Sequence, residues 1–241
     1  MDLKELEAGI DPHTHWYYQS KKLPLFAYVR EVLKKVPRVT IVDVGSGSGF
    51  FAYILADEFG DQIEKVYLVD IGYSEEEMAA TRGSRLEKVH FIPTAINNAV
   101  VTLMDVLEHL EDDYAMLKSI KEACSGGGNY FFITVPAFKN LWSGHDDYLG
   151  HYRRYTSPML RSVLTRAGWK TKRSYYLYGS LFPLVWVARK LCNLRKGKAE
   201  SNMRPSSPLI NSILLGVTSA DMKVARANHA FGVTCVAEGE I

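Results

Sequence analysis

The sequence predicts an α/β fold: a mostly parallel sheet with helices on both faces. Three observations carry this. Compact apolar and β-branched runs alternate with helical patterns through most of the chain. The first run leads into a glycine-rich turn, VDVGSGSG (residues 42–49). The second ends in Asp70, about 20 residues further on, the usual distance for an acid that binds a ribose.

The elements follow in chain order. Phe26, Val29, Val32, Leu33 and Val36 recur at helical spacing, so a helix is expected over Ser20 to Val36, stopped by Pro37. VTIVDV (39–44) is a buried strand, and FFAYILADEF after the glycines is a helix. KVYLVD (65–70), VHFI (89–92) and AVVTLM (99–104) read as strands two to four. A helix covers Asp112 to Cys124, GGG at 126–128 ends it, and NYFFITVP is a fifth strand reaching Pro136. A helix over Ser157 to Ala167 stops at Gly168. KTKRSYYLY and HAFGVTCVAEG are strands six and seven. Residues 179–228, between those two strands, exceed what the sheet needs. They hold an apolar segment (Leu181 to Leu194), a polar linker and a helical pattern (Leu209 to Arg226). A single domain, 1–241, with a late inserted cap is the simplest account.

Composition narrows the function classes. The 241 residues are 47% hydrophobic and 23% charged, ordinary for a globular chain with a real core. A net charge of +2 gives no reason to expect nucleic acid. Cys124, Cys192 and Cys235 are too scattered for a disulfide framework or a metal knuckle, which fits a reducing compartment. The acidic start, MDLKELEAGIDPH, lacks the apolar stretch of a signal peptide. The uncharged run 175–188 is too short to span a bilayer comfortably and contains Pro183. These features predict a cytoplasmic protein. LFPLVWVARKLCNLRKGK (181–198) joins an apolar run to five cations, a composition that also suits peripheral contact with an anionic membrane, a core helix or a dimer contact.

In such sheets the ligand lies at the carboxyl ends of the strands. Glycines at the first turn let the backbone approach it, and Asp70 is placed to accept both ribose hydroxyls. The cofactor is therefore adenosine-containing. Read from Gly47, GSGFFA satisfies a loose dinucleotide fingerprint, so a nicotinamide-dependent oxidoreductase is a rival; no second glycine fingerprint follows strand four. A tight turn without a ligand is the plain alternative.

Read from Asp43, DVGSGSG resembles the first motif of class I S-adenosylmethionine-dependent methyltransferases. LMDVLEHL (103–110) resembles the segment that lines the methionine end of that family's pocket, and HTHWYYQSKK (13–22) the stretch that closes over the cofactor. WSGHDDYLGHYRRYT (142–156) resembles a segment found after strand five in a subset associated with polysaccharide and lipid-linked sugar pathways. The resemblance covers residues 13–178 and the final strand. It implies a Rossmann-like, seven-stranded sheet with an antiparallel last strand, and an N-terminal lid over residues 1–36. Asp43, Gly45, Ser46, Gly47, Gly49, Asp70, Ile71, Asp105, His15 and Trp16 become the expected S-adenosylmethionine contacts. Where many members carry an acid for the adenine amino group, this chain reads FIPTAINN, and Thr94 or a backbone carbonyl takes that place.

Methyl transfer needs orientation above all, and a base only where the acceptor loses a proton. His109, His145 and His151 follow strands four and five and are the candidates; helix capping or core packing is the plain alternative for His109, a solvated surface loop for His145 and His151. Trp142, Tyr148, Arg153 and Arg154 are candidates to hold a small-molecule acceptor, although both arginines could simply pair with Asp146 and Asp147. No metal-ligand spacing is present. A sugar or lipid-linked hydroxyl is the expected acceptor, and a non-catalytic cofactor-binding scaffold is the rival outside enzymes.

Overall fold

The computed structural model describes residues 9–194 and 206–241. Helix α1 (Trp16–Leu33) leads to β1 (Val39–Val44), α2 (Phe50–Phe59), β2 (Ile63–Val69), α3 (Glu75–Thr81) and β3 (Leu86–Val89). Then come β4 (Ala99–Met104), α4 (Asp113–Ala123), β5 (Tyr130–Pro136), α5 (Gly144–Leu149), α6 (Ser157–Arg166) and β6 (Lys170–Leu177). The chain closes with α7 (Phe182–Leu194), α8 (Pro208–Val224) and β7 (Thr234–Glu240).

The seven strands form one sheet in the order β3-β2-β1-β4-β5-β7-β6. β1 pairs in parallel with β2 and β4, so strand order reverses beside β1. β7 is antiparallel to both neighbours, β5 and β6, as the family resemblance implies. Continuous apolar runs in the middle strands are explained by burial on both sides. Phe131 and Phe132, adjacent in β5, face opposite cores and are both fully buried. One core packs α1 and α2 on the sheet, the other α4 and α6.

Three elements differ most from the sequence reading, among them β7, which begins at Thr234, five residues into HAFGVTCVAEG. α1 starts at Trp16, because His15 serves as N-cap with Nδ1 accepting from the Tyr17 amide at 3.4 Å. It ends at Leu33, short of Pro37, and carries Pro24 internally. β3 lies over 86–89 because its register pairs Leu86 with Val66 and Val89 with Val69. His90, Phe91 and Ile92 have left the sheet and line a cleft instead. The cap region holds α7 and α8, and α8 packs along α1. There the Asn211 side chain accepts from the Trp16 amide and donates to the Thr14 carbonyl, each at 2.9 Å. The polar linker and Arg195, Lys196 and Lys198 of the basic run lie outside the described residues, as does the start of the chain.

Candidate active site

The β1–α2 turn is held in a shape only glycine tolerates well. Gly45, Gly47 and Gly49 have φ of 68°, 52° and 77°. A methyl group on Gly45 would come within 2.7 Å of Val106. Asp70 braces this loop: its Oδ2 accepts from the Gly47 amide at 2.8 Å and its Oδ1 from the Gly72 amide at 2.9 Å. Each oxygen retains acceptor capacity. Behind the loop the Ser46 hydroxyl bonds Tyr73 at 2.8 Å. Asp43 is buried there, its Oδ1 accepting from Thr102 at 2.6 Å. Burial pushes its carboxyl up to about 6, Asp70's charge adds to that, and the Thr102 bond opposes it.

The loop opens onto a cleft of about 1100 Å³ at the carboxyl ends of β1, β2 and β4. Gly45, Gly47, Asp70, Ile71, Asp105 and His109 stand on its wall. Ile71 and Phe91, among the most exposed apolar side chains described, flank its mouth, with Thr94 nearby. Asp43, Ser46 and Gly49 support the wall without forming it. His15 and Trp16 lie away from it too, His15 buried at the start of α1.

Asp105 caps the inner end. It follows β4 with φ 57°, a region that non-glycine residues avoid at a cost of ~1–2 kcal/mol. Three groups donate to it: Lys21 in an ion pair, the Tyr17 hydroxyl at 3.1 Å and the Thr134 hydroxyl at 2.9 Å. Burial alone would raise the Asp105 carboxyl, but Lys21 outweighs it and holds the group below the usual range. Lys21 is almost wholly buried. Sequence reasoning missed Lys21 and Tyr17. Their one signal is helical: four residues apart, they share a face of α1.

The segment 143–156 folds against the turn after β4. The Tyr152 amide donates to the Glu108 carbonyl at 2.8 Å, and the Tyr155 hydroxyl to Asp113 at 2.7 Å. Asp146, fully buried, is its hub. It accepts from the Ser143 amide at 2.9 Å, from His151 Nδ1 at 2.9 Å, and from Arg154 Nε and Nη2 at 2.6 and 3.1 Å. Burial would raise Asp146; His151 and Arg154 overcome that and hold it far below the ordinary carboxylate range. Arg154 is thus turned inward, and Arg153 pairs with Asp113 at 3.1 Å rather than with Asp147. Trp142 donates from Nε1 to Asp147 at 2.9 Å. His145 is buried, and burial followed by the charge of Arg189 pushes it down to about 4. Neither His145 nor Tyr148 is on the cleft wall.

His151 comes beside His109, the ring centroids 4.6 Å apart and the planes at 82°. Glu108 completes the group: one ligand atom from each of the three lies within 4.8 Å of the others. Sequence spacing held no metal pattern; a turn after one strand and a loop after the next supply it. Burial and then the charge of Asp105 push the Glu108 carboxyl well up.

A family model described as a methyltransferase domain matches residues 15–173, more than half of the chain. The ubiquinone biosynthesis O-methyltransferase of Yersinia pestis is 30% identical over 114 residues, 42% of this chain and 45% of that protein. That of Photorhabdus laumondii is 26% identical over 113 residues, with the same shares. The chain therefore matches about half the length of these curated relatives. A putative sarcosine dimethylglycine methyltransferase from Galdieria sulphuraria superposes with a TM-score of 0.52 at 14% identity, over 88% of this chain and 84% of that one. The [4+2]-cyclase SpnF does so with 0.50 at 13% identity, over 84% and 74%. At these identities the likeness is one of fold, and the cyclase shows that the fold alone does not set the reaction. With the domain match, the glycine loop and the reversed strand order in agreement, the chain belongs to the methyltransferase-domain family, the class I S-adenosylmethionine-dependent methyltransferases.

Proposed function

We propose that the protein transfers the methyl group of S-adenosylmethionine to a hydroxyl oxygen of a small sugar or lipid-linked molecule. The carrying observation is the cleft, with the glycine loop and Asp70 on one wall and His109 on another. Its size is just above the ~300–1,000 Å³ range of small-molecule sites, room for a nucleoside cofactor beside an acceptor. The loop forms a cradle that a Cβ at Gly45 would fill. Asp70 retains acceptor capacity for ribose hydroxyls, Ile71 and Phe91 offer apolar flanks to a flat base, and Asp105 with Tyr17 bounds the amino-acid end. When bound, the cofactor's sulfonium supplies the methyl group and leaves as a neutral thioether. The chain's part is to align the acceptor oxygen and to help its proton leave at His109.

The names of the Yersinia and Photorhabdus relatives speak of O-methylation in ubiquinone biosynthesis, which supports an oxygen acceptor carried on an apolar body. The surface agrees with this. Leu184, Trp186, Val187 and Leu191 of α7, and Leu209, Ile210, Ile213 and Val217 of α8, are exposed. Among the described residues no helix is long and apolar enough to cross a membrane. We read the protein as meeting its acceptor at a membrane surface through these exposed apolar side chains.

Calorimetric titration with S-adenosylhomocysteine, and separately with NADH, tests the cofactor. Saturable binding of the first alone, weakened at least tenfold in Asp70→Ala, is the expected result. NADH binding alone would replace the reading with an oxidoreductase. Binding of S-adenosylhomocysteine without methyl incorporation into any hydroxylated lipid or sugar pool would favour a non-catalytic scaffold.

A further inference from the structure

We propose that Glu108, His109 and His151 form a binding site for a first-row divalent transition-metal cation on the acceptor side of the cleft. Glu108 is fully buried, and neither of its carboxylate oxygens has a hydrogen-bond partner among the described residues. A buried polar group left unsatisfied costs ~1–3 kcal/mol, more if it is charged, and such a group calls for a ligand. The nearby cation Lys21 is committed to Asp105 and Tyr17.

The geometry supplies that ligand's other contacts. Ions of this class sit about 2.0–2.2 Å from such ligands, so ligand atoms sharing one at tetrahedral angles lie roughly 3.3–3.6 Å apart. The observed spread, within 4.8 Å, closes with roughly 1.5 Å of side-chain adjustment at most. His151 is oriented for the task. Its Nδ1–H donates to Asp146 at 2.9 Å, which leaves Nε2 as the unprotonated nitrogen. The carboxylate–histidine arrangement raises ligand basicity and fixes the ring. Asp146 is itself anchored by Arg154 and the Ser143 amide. The Tyr152–Glu108 backbone bond pins the two contributing segments together.

Two imidazoles and one carboxylate suit zinc, manganese or cobalt better than magnesium or calcium, which favour oxygen. Three protein ligands leave a coordination position open, and His109 carries the site to the cleft wall. There a cation would orient an acceptor hydroxyl and make it more acidic, and His109 would then serve as its ligand in place of taking the proton. This role rests on the methyltransferase reading; the binding of the ion does not.

The test titrates chelator-treated full-length protein with Mn²⁺ and with Co²⁺ alone, by calorimetry and by the ligand-field absorption of cobalt. One saturable site is expected, with a cobalt spectrum of low coordination number. Glu108→Gln and His151→Ala should each weaken binding at least about tenfold, the size of loss seen even for supporting residues of metal sites. Glu122→Gln, a carboxylate of the cleft wall outside the cluster, should not. S-adenosylhomocysteine titration of the same variants reports whether they fold and tests the cofactor reading separately. Metal bound without S-adenosylhomocysteine keeps the site and removes the reading. No saturable metal binding by the wild-type protein overturns the site, as does undiminished binding in both variants. If both variants fail to fold, the wild-type cobalt spectrum decides: a six-coordinate aquo-like spectrum refutes it.

Discussion

Replacing Asp43 by asparagine isolates the electrostatic cost of the glycine loop's foundation. Asp43 is buried beneath the loop, with its Oδ1 bonded to Thr102 at 2.6 Å, and its carboxyl is raised from an ordinary 3.8 to about 6. The folded protein therefore holds this proton more tightly than the unfolded chain. The sign follows directly. Below about pH 4 both states are protonated and the group costs nothing. As pH rises toward 6 the unfolded chain ionises first and stability falls, reaching a loss of about 3 kcal/mol above pH 6. Asparagine keeps the acceptor for Thr102 but adds an amide donor with its own, pH-independent cost of ~1–3 kcal/mol. The absolute difference between the two proteins is therefore less telling than its slope. Urea denaturation of the cofactor-free proteins should show the stability of Asp43→Asn gaining on wild type by ~2 kcal/mol between pH 4.5 and 7.5. Titrating groups that do not interact with Asp43 cancel in the comparison; Asp70, whose charge adds to the Asp43 shift, is the exception. A difference that changes by less than ~0.5 kcal/mol over that interval would refute the buried, proton-retaining carboxylate.

Two further perturbations probe the cleft. Lys21→Met leaves Asp105 without its cation. Because Asp105 stays partly solvated, the loss should lie near the low end of the 3–5 kcal/mol seen on breaking buried pairs, and adding Asp105→Asn should recover part of it; thermal denaturation of the cycle checks this, and additive losses would contradict the pair. Gly45→Ala combines a left-handed backbone with a 2.7 Å approach to Val106, so it should cost ~2 kcal/mol and lower S-adenosylhomocysteine affinity; Val106→Ala in the same chain should return part of both, and unchanged affinity would mean the loop does not shape the cofactor site.

The sheet was readable in the sequence wherever burial on both faces writes a continuous apolar run. β4 occupies its expected span, 99–104, for that reason. β3 was displaced because Phe91 and Ile92 are apolar for the sake of the cleft, and apolarity does not state which surface it serves. The start of α1 was missed because histidine is an uncommon N-cap. Asp70 and Asp105 were legible as acids at the carboxyl ends of strands. Lys21 and Tyr17 were not, because their partner lies more than 80 residues away and only the packing of α1 brings them to it. Glu108 reads in sequence like any solvated acid; only the fold shows it dry. Arg154 carries the opposite lesson. Its residue type suits an anionic ligand, yet Asp146, eight residues before it, occupies its planar fork.

The position of β7 between β5 and β6 has a consequence for how the molecule is made. During synthesis β6 emerges with no strand to join, since among the described residues its neighbour in the sheet is β7, which is made later. β5 likewise keeps an open apolar edge on that side until residues 234–240 arrive. The cofactor half, β1 to β4, can assemble early, while the far half waits with two unpaired edges of the kind that invite association between chains. The final strand then zips both together, and the Tyr28 hydroxyl of α1 donates to its Gly239 carbonyl at 2.6 Å. A ribosome that stalls before this strand leaves the product sticky, whereas one that finishes it seals both edges in a single step.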